Sequence, residues 1–324
     1  MGMDMILKSK NKILTFGTFS ILFGILLLRF PNAINYFNVN FFDVKKFFND
    51  YYKYKNIIAF VFILIGLILI ILCLLVKKKK IVLLGSNDVF NDIDNKKITK
   101  YEIYELILKI SGYNKQILVL ALKDLYEFKI KTIDNINEKF GLVIICSLPF
   151  AAKLGYFVGD CKNNMYYIHY FRNSHEYIEL PKVGSEFNFL FDYIDNRSNE
   201  LFVAVQSSYL IDCEKLDEKF KRKNILKIRT NSIGVDSIDN FTILDKFSNY
   251  IIDKIRDYYD KNEIIHISFA TSALVAYCFG QLVSKTIDKK IICYQFENQE
   301  KNNRPWGVII NGNENSFEDQ IIYE

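Results

Sequence analysis

Half of the chain's 324 residues are hydrophobic and 24% are charged, enough for one large folding unit or two ordinary ones with a sizeable core. The formal net charge of +5 is unevenly placed: residues 1–80 carry 12 Lys/Arg against 3 Asp/Glu, and the remainder carries 30 against 34. The basic character belongs to the N-terminal quarter, so it is no argument for nucleic-acid binding by the rest, and no DNA or RNA polymer is expected as a partner.

Taken in chain order, Ile13–Leu28 (ILTFGTFSILFGILLL) runs 16 residues without a charge, and Ile57–Val76 runs 20. A hydrocarbon core about 30 Å thick needs roughly 20 residues at 1.5 Å each. Two membrane spans are predicted, over about 13–30 and 57–76, the first with Arg29 snorkelling to the headgroups. The basic start also fits a signal peptide, but RFPNAINYF offers no small-x-small cleavage site. Lys8, Lys10 and Lys12 before the first run, and Lys77 to Lys80 after the second, place both termini in the cytoplasm. Between the runs, Phe41, Val44, Phe48 and Tyr51 recur at helical spacing, as an interfacial amphipathic piece or as an ordinary connecting loop. The expectation is a transmembrane hairpin over 1–80.

Residues 81–112 read as a connector: a short strand candidate IVLLG (Ile81–Gly85), the polar NDVFNDIDNKK, and a helical stretch YEIYELILKI. Apolar runs then alternate with helical patterns. Strands are predicted at Gln116–Leu122, Leu142–Leu148, Met165–Phe171, Leu201–Ser207, Glu263–Phe269 and Lys290–Phe296. Such runs separated by helices argue for an α/β fold with parallel sheets covered on both faces. Setting Gly280 against Gly159 aligns IIHISFATSALVAYCFG with VIICSLPFAAKLGYFVG, pairing Ser268 with Ser147, Ala273 with Ala152 and Ala276 with Gly155. Upstream, LFVAVQSS matches ILVLALKD in pattern. Two Rossmann-like halves are expected, over 113–182 and 183–324.

In open parallel sheets, ligands bind beyond the carboxyl ends of the strands. That rule selects Lys123, Arg172, Ser207, Ser208, Thr271, Ser272, Asn298 and Gln299. Thr271 and Ser272 precede a helix, where hydroxyls either cap its first turn or join its free amides in holding phosphate. Arg304 could fork onto a phosphate and Trp306, the one tryptophan, could stack on a base; packing against a loop is the alternative for Trp306. GxGxxG, GxxxxGK[ST] and GxSxG are absent. Asp212, Glu214, Asp217 and Glu218 lie among lysines, as on a solvated face, and His266 reads as a core histidine. Six scattered cysteines without a CxxC imply reduced thiols, and three histidines lack zinc-ligand spacing. No catalytic residue and no metal are expected.

HISFATSALVAYCFGQLVSKTIDKKIICYQFEN, His266 to Asn298, resembles the SAVED domain through its strand, small polar turn, helix with Ala276 and Gly280, and strand with Tyr294. The likeness covers roughly residues 110–324. It implies two fused CARF-like halves. With two preceding spans, the chain looks like the two-transmembrane SAVED effectors of bacterial CBASS anti-phage systems. The resemblance implies a non-enzymatic sensor of a cyclic di- or trinucleotide made by a cognate nucleotidyltransferase. It further implies head-to-tail SAVED oligomerisation that gathers the hairpins and disrupts the inner membrane. The alternatives are a membrane-anchored ring nuclease or nucleotide-acting enzyme, and a non-catalytic membrane tether for a partner.

Overall fold

The computed structural model describes residues 14–23, 25, 57, 59–71, 79–86, 102–110, 114–159, 165–174, 176–182, 188–297, 304–313 and 316–323. The chain divides into two units, Met1–Lys78 and Lys79–Glu324.

In the first unit, residues 14–23 and 59–71 are helical. A Cβ on Gly66 would stand 2.6 Å from the Gly17 carbonyl oxygen, so the two helices meet backbone to backbone where neither carries a side chain. Phe23 and Phe62 pack edge to face at 5.3 Å. Away from this contact the pair exposes Phe16, Phe19, Leu22, Phe60, Leu64 and Ile68. Among the described residues no helix is long and apolar enough to cross a membrane. The ends of both expected spans, the Phe41 to Tyr51 segment and Lys8, Lys10 and Lys12 lie outside the described residues.

The second unit contains two sheets. The first is built from β1 (Lys80–Ser86), β2 (Glu102–Leu108), β3 (Phe140–Ile145), β4 (Met165–Phe171) and β5 (Glu176–Glu179), in the order β2-β1-β3-β4-β5. Its strands are parallel except β5, which pairs antiparallel with β4. The second is built from β6 (Phe189–Ile194), β7 (Glu200–Gln206), β8 (Asn224–Thr230), β9 (Ile264–Ala270), β10 (Lys290–Tyr294), β11 (Trp306–Ile309) and β12 (Ile321–Tyr323). Its order is β12-β11-β10-β9-β7-β8-β6, with the inner β10, β9, β7 and β8 parallel. Among the described residues, the α-helices that accompany the sheets are α1 (Lys115–Lys131), α2 (Leu148–Val158), α3 (Glu218–Lys221), α4 (Phe241–Arg256) and α5 (Ala273–Leu282). One hydrophobic core takes side chains from both sheets and from α1, α2, α4 and α5.

Two element assignments change. Residues Gln116–Leu122 are not a strand but the start of the 17-residue α1, capped by the Asn114 side chain, which accepts from the Gln116 and Ile117 amides. Its buried Leu118, Ala121, Leu122 and Leu125 follow the 3.6-residue period, which a seven-residue apolar window is too short to reveal. Conversely, the helix expected over YEIYELILKI is the edge strand β2: Tyr104, Leu106 and Leu108 face the core alternately with exposed Ile103 and Glu105. The segment 81–112 is therefore no connector. It supplies β1, paired on both sides, and β2 outside it. The proposed match between LFVAVQSS and ILVLALKD dissolves with this change, since one is a strand and the other a helix.

The internal repeat is real but sits in a different register. Helices α2 and α5 pack against each other so closely that a Cβ on Gly155 would lie 1.9 Å from the Tyr277 carbonyl oxygen. A Cβ on Gly280 would lie 1.9 Å from the Ala152 carbonyl oxygen. The contact is reciprocal, so Gly155 is the counterpart of Gly280 and Ala152 that of Tyr277. The helix starts agree: Ser147 is the N-cap of α2 and Ser272 that of α5, each the same distance before its glycine. The alignment of Gly159 with Gly280 is thus displaced by one helical turn. Small residues one turn apart in both copies (Gly155 and Gly159, Ala276 and Gly280) permit the slip.

Candidate functional site

The carboxyl ends of β3, β4, β7 and β9 converge on a cleft of about 250 Å³, lined from both sheets. The starts of α2 and α5 open onto it through Ser147, Leu148, Ser272 and Ala273. Both N-cap serines have extended backbone (ψ 141° and 151°), yet neither side chain caps its own helix. The reason is local. The N3 amide that a capping hydroxyl would take is already given to the serine's own carbonyl, from Phe150 at 3.1 Å in α2 and from Val275 at 3.1 Å in α5. Both hydroxyls are therefore left buried with no hydrogen-bond partner. The starts of α2 and α5 bring their positive dipole ends to the cleft, although Pro149, the second residue of α2, has no N–H to offer there.

On the first-sheet side, Arg172 follows β4 and is exposed. Its turn is tied down by Asp236, whose carboxylate accepts the amides of Arg172 at 3.2 Å and Asn173 at 3.0 Å. Asp236 adopts a left-handed φ of 64°, a conformation tolerated by Asp through local hydrogen bonding. The Arg172 guanidinium donates to the Tyr209 hydroxyl at 3.5 Å. His169 lies behind, with Nε2 3.6 Å from Asp236 Oδ1. Burial holds its imidazole below the usual histidine range, partly opposed by the Asp236 charge, so it is neutral at pH 7.

On the second-sheet side, the Ser207 and Ser208 amides both donate to the Ala270 carbonyl, at 3.1 and 2.9 Å. The Ser207 and Thr271 hydroxyls share a 2.6 Å hydrogen bond. These contacts latch the ends of β7 and β9 together. Gln295, just past β10, completes the wall. Its Nε2 donates to the Phe296 carbonyl at 3.1 Å, and its Oε1 is buried without a partner.

Of the residues selected from sequence, Thr271, Ser272, Ser208 and Arg172 line the cleft, and Ser207 lies directly behind, bonded to Thr271. Three others do not reach it. Lys123 is an exposed position within α1, because the strand it was meant to terminate is a helix. Arg304 is buried and donates from Nε to Ser268 Oγ at 3.2 Å, with its guanidinium within 6 Å of the Phe202, Phe220 and Phe296 ring centres. Trp306 is fully buried beside Phe150, with its indole N–H donated to Glu297 at 3.2 Å, so packing is its role. Asn298 and Gln299 lie outside the described residues. Sequence reasoning missed Ser147, Gln295, His169, Tyr209 and Asp236. Ser147 had a signal, its match to Ser272 once the repeat is shifted by a turn; Asp236 and Tyr209 sit in loops without one. His266 is a core histidine, buried between Glu200 at 2.9 Å and the Tyr294 hydroxyl at 3.1 Å. Among the described residues no group of three His, Cys, Asp or Glu side chains is placed to hold a metal ion.

Residues 125–310 match the family described as "SAVED: SMODS-associated and fused to various effectors sensor domain". No curated protein matches the sequence. Among solved structures, the chain is similar to the SAVED/CARF-domain containing receptor Cap4 of Acinetobacter baumannii with the cyclic trinucleotide 2'3'3'-cAAA. That similarity has 14% identity and a TM-score of 0.46, covering 79% of this chain and 58% of that one. A Moraxella osloensis Cap4 receptor is matched at 14% identity and a TM-score of 0.44, covering 79% of this chain and 57% of the other. The chain thus spans less than two thirds of the length of these receptors.

Proposed function

The chain belongs to the SAVED family of sensor domains, and on that premise we propose that it is a sensor of a cyclic di- or trinucleotide bound in the cleft between its two halves. One observation carries the reading: two buried N-cap hydroxyls, Ser147 and Ser272, one from each half, face the same cleft with nothing to bond. A buried hydroxyl without a partner costs about 1–3 kcal/mol, which a ligand phosphate seated at the two helix starts would recover. Arg172 at the rim adds a positive charge. Titration calorimetry of the full chain with 2'3'3'-cAAA, 3'3'3'-cAAA and cyclic dinucleotides tests this. The double substitution Ser147→Ala, Ser272→Ala should weaken the binding ring by about tenfold or more. Unchanged affinity places the ligand elsewhere.

The output follows from the N-terminal unit. Its two apolar runs act as a hairpin in the bacterial inner membrane, with both termini and the SAVED domain in the cytoplasm. What supports this is the uncharged length of the runs and the large apolar side chains that the paired helices expose. A nucleotidyltransferase supplies the ligand, and ligand-bound chains stack head to tail, gathering hairpins until the bilayer is disrupted in anti-phage defence. Dye release from liposomes bearing the full chain, on adding a ring that binds, is the expected result; binding without release removes the effector role. A second reading, a ring nuclease, draws on the neutral His169 beside Asp236 as a base at the cleft wall. Ligand recovered intact after long incubation decides against it.

A further inference from the structure

Among the described residues, three buried side-chain atoms at the cleft have no hydrogen-bond partner: the hydroxyl oxygens of Ser147 and Ser272, and Oε1 of Gln295. They differ in chemistry. A hydroxyl can donate or accept, so the serines suit phosphate oxygens, which only accept. An amide oxygen accepts only. A phosphate placed against Gln295 would set acceptor against acceptor. The other end of the amide orients it: Nε2 donates to the Phe296 carbonyl oxygen at 3.1 Å in a solvent-exposed hydrogen bond. Reversing it would lose that bond and press two oxygens together. The backbone also holds the residue still: the Gln295 amide donates to the Trp306 carbonyl at 3.0 Å, continuing the β10–β11 ladder by one bond. Strand alternation sends the Tyr294 side chain into the cluster on the opposite face of the sheet, so Gln295 is directed to the cleft face.

Taking the sensor reading above as its basis, we infer that Gln295 selects the ligand's base, accepting a hydrogen bond from an exocyclic amino group while the two serines hold phosphate. An amino-bearing base such as adenine gives Oε1 its missing donor. Hypoxanthine, with a carbonyl in place of that amine, leaves the oxygen unpaired and facing another acceptor. A site built around such a bond rejects the analogue that lacks it far more strongly than a shape-only pocket does.

The test compares cyclic tri-adenylate with cyclic tri-inosinate on the full chain. The wild type should prefer the adenine ring by about 10- to 100-fold. In Gln295→Met, which keeps length and removes the acceptor, the two rings should bind within about threefold of one another. Buried Trp306 emission reports that the variant is folded. Equal binding of both rings to the wild type overturns the inference, as does an undiminished preference in folded Gln295→Met. If the wild type binds neither these rings nor other cyclic oligonucleotides, the sensor reading itself falls and this assignment with it.

Discussion

Replacing Gly280 by alanine puts a methyl carbon 1.9 Å from the Ala152 carbonyl oxygen, where about 3.3 Å is needed. The obstructing atom is main chain and cannot rotate away, so α2 and α5 must part by roughly an ångström or more. A gap of that size forfeits about a quarter to a half of each contact along the seam. Overpacking of this kind costs about 1–3 kcal/mol and occasionally more, while removing a helix glycine returns about 1 kcal/mol of propensity. A rigid backbone clash belongs at the upper end, for a net loss of about 2 kcal/mol or more. For a unit of this size, that lowers Tm by about 4–8 °C. The assay is built in: Trp306 is the one tryptophan and fully buried, so its emission follows thermal unfolding of the second unit. Gly234→Ala is the control, since nothing lies within 4 Å of its added Cβ, and it should stay within about 0.5 kcal/mol of wild type. A Tm for Gly280→Ala equal to or above wild type would refute the reciprocal helix contact.

Lys153, fully buried on α2, donates to the Ile309 and Ile310 carbonyls at 3.1 and 2.7 Å; Lys153→Met keeps the stem but not these bonds, and should cost about 1–3 kcal/mol in urea unfolding. Arg172→Gln should weaken the binding ring and flatten the salt dependence of its affinity, if the guanidinium meets phosphate; an unchanged salt slope would count against that contact. Burial, with Lys223 adding to it and Glu200 opposing, pushes the His266 imidazole down to about 4. Because the unfolded chain takes up that proton first, stability falls as pH drops from about 6.5 towards 4 and levels off below. The loss amounts to about 3 kcal/mol at about 1.4 kcal/mol per pH unit, and His266→Gln should remove this part of the pH profile in denaturant titrations.

The α/β class and the strands Leu201–Ser207 and Glu263–Phe269 were legible because buried parallel strands are near-continuous apolar runs, and the half-buried Met165–Phe171 because its exposed side is aromatic rather than charged. The same property misled at Gln116–Leu122, where the helical period emerges only over the 17 residues to Lys131. The edge strand β2 was hidden for the opposite reason: with one face towards solvent, its polar positions Glu102 and Glu105 resemble those of a helix. At the site, Thr271 and Ser272 could be found because a polar pair between an apolar strand and a helix has few local explanations. Arg304 and Trp306 have the right chemistry but are buried, Trp306 beside Phe150 and Arg304 among Phe202 and Phe220, neighbours distant in sequence that residue type does not reveal. Gln295 and Asp236 owe their roles to neighbours distant in sequence, the Phe296 carbonyl apart, and no local pattern marks them.

The reciprocal meeting of Gly155 and Gly280 has the form of a two-fold homodimer interface enclosed within one polypeptide. A dimer that builds its pocket from two chains must associate before it can bind, and its apparent affinity falls with protein concentration. Here both walls arrive tethered, so on the proposed sensor reading capture of a ligand by one chain would be governed by ligand concentration alone, even at a few copies per cell. Any dependence of response on protein concentration then reports contacts between chains rather than completion of the pocket. Each wall is also free to diverge, as Cys146 at the position matching Thr271 shows.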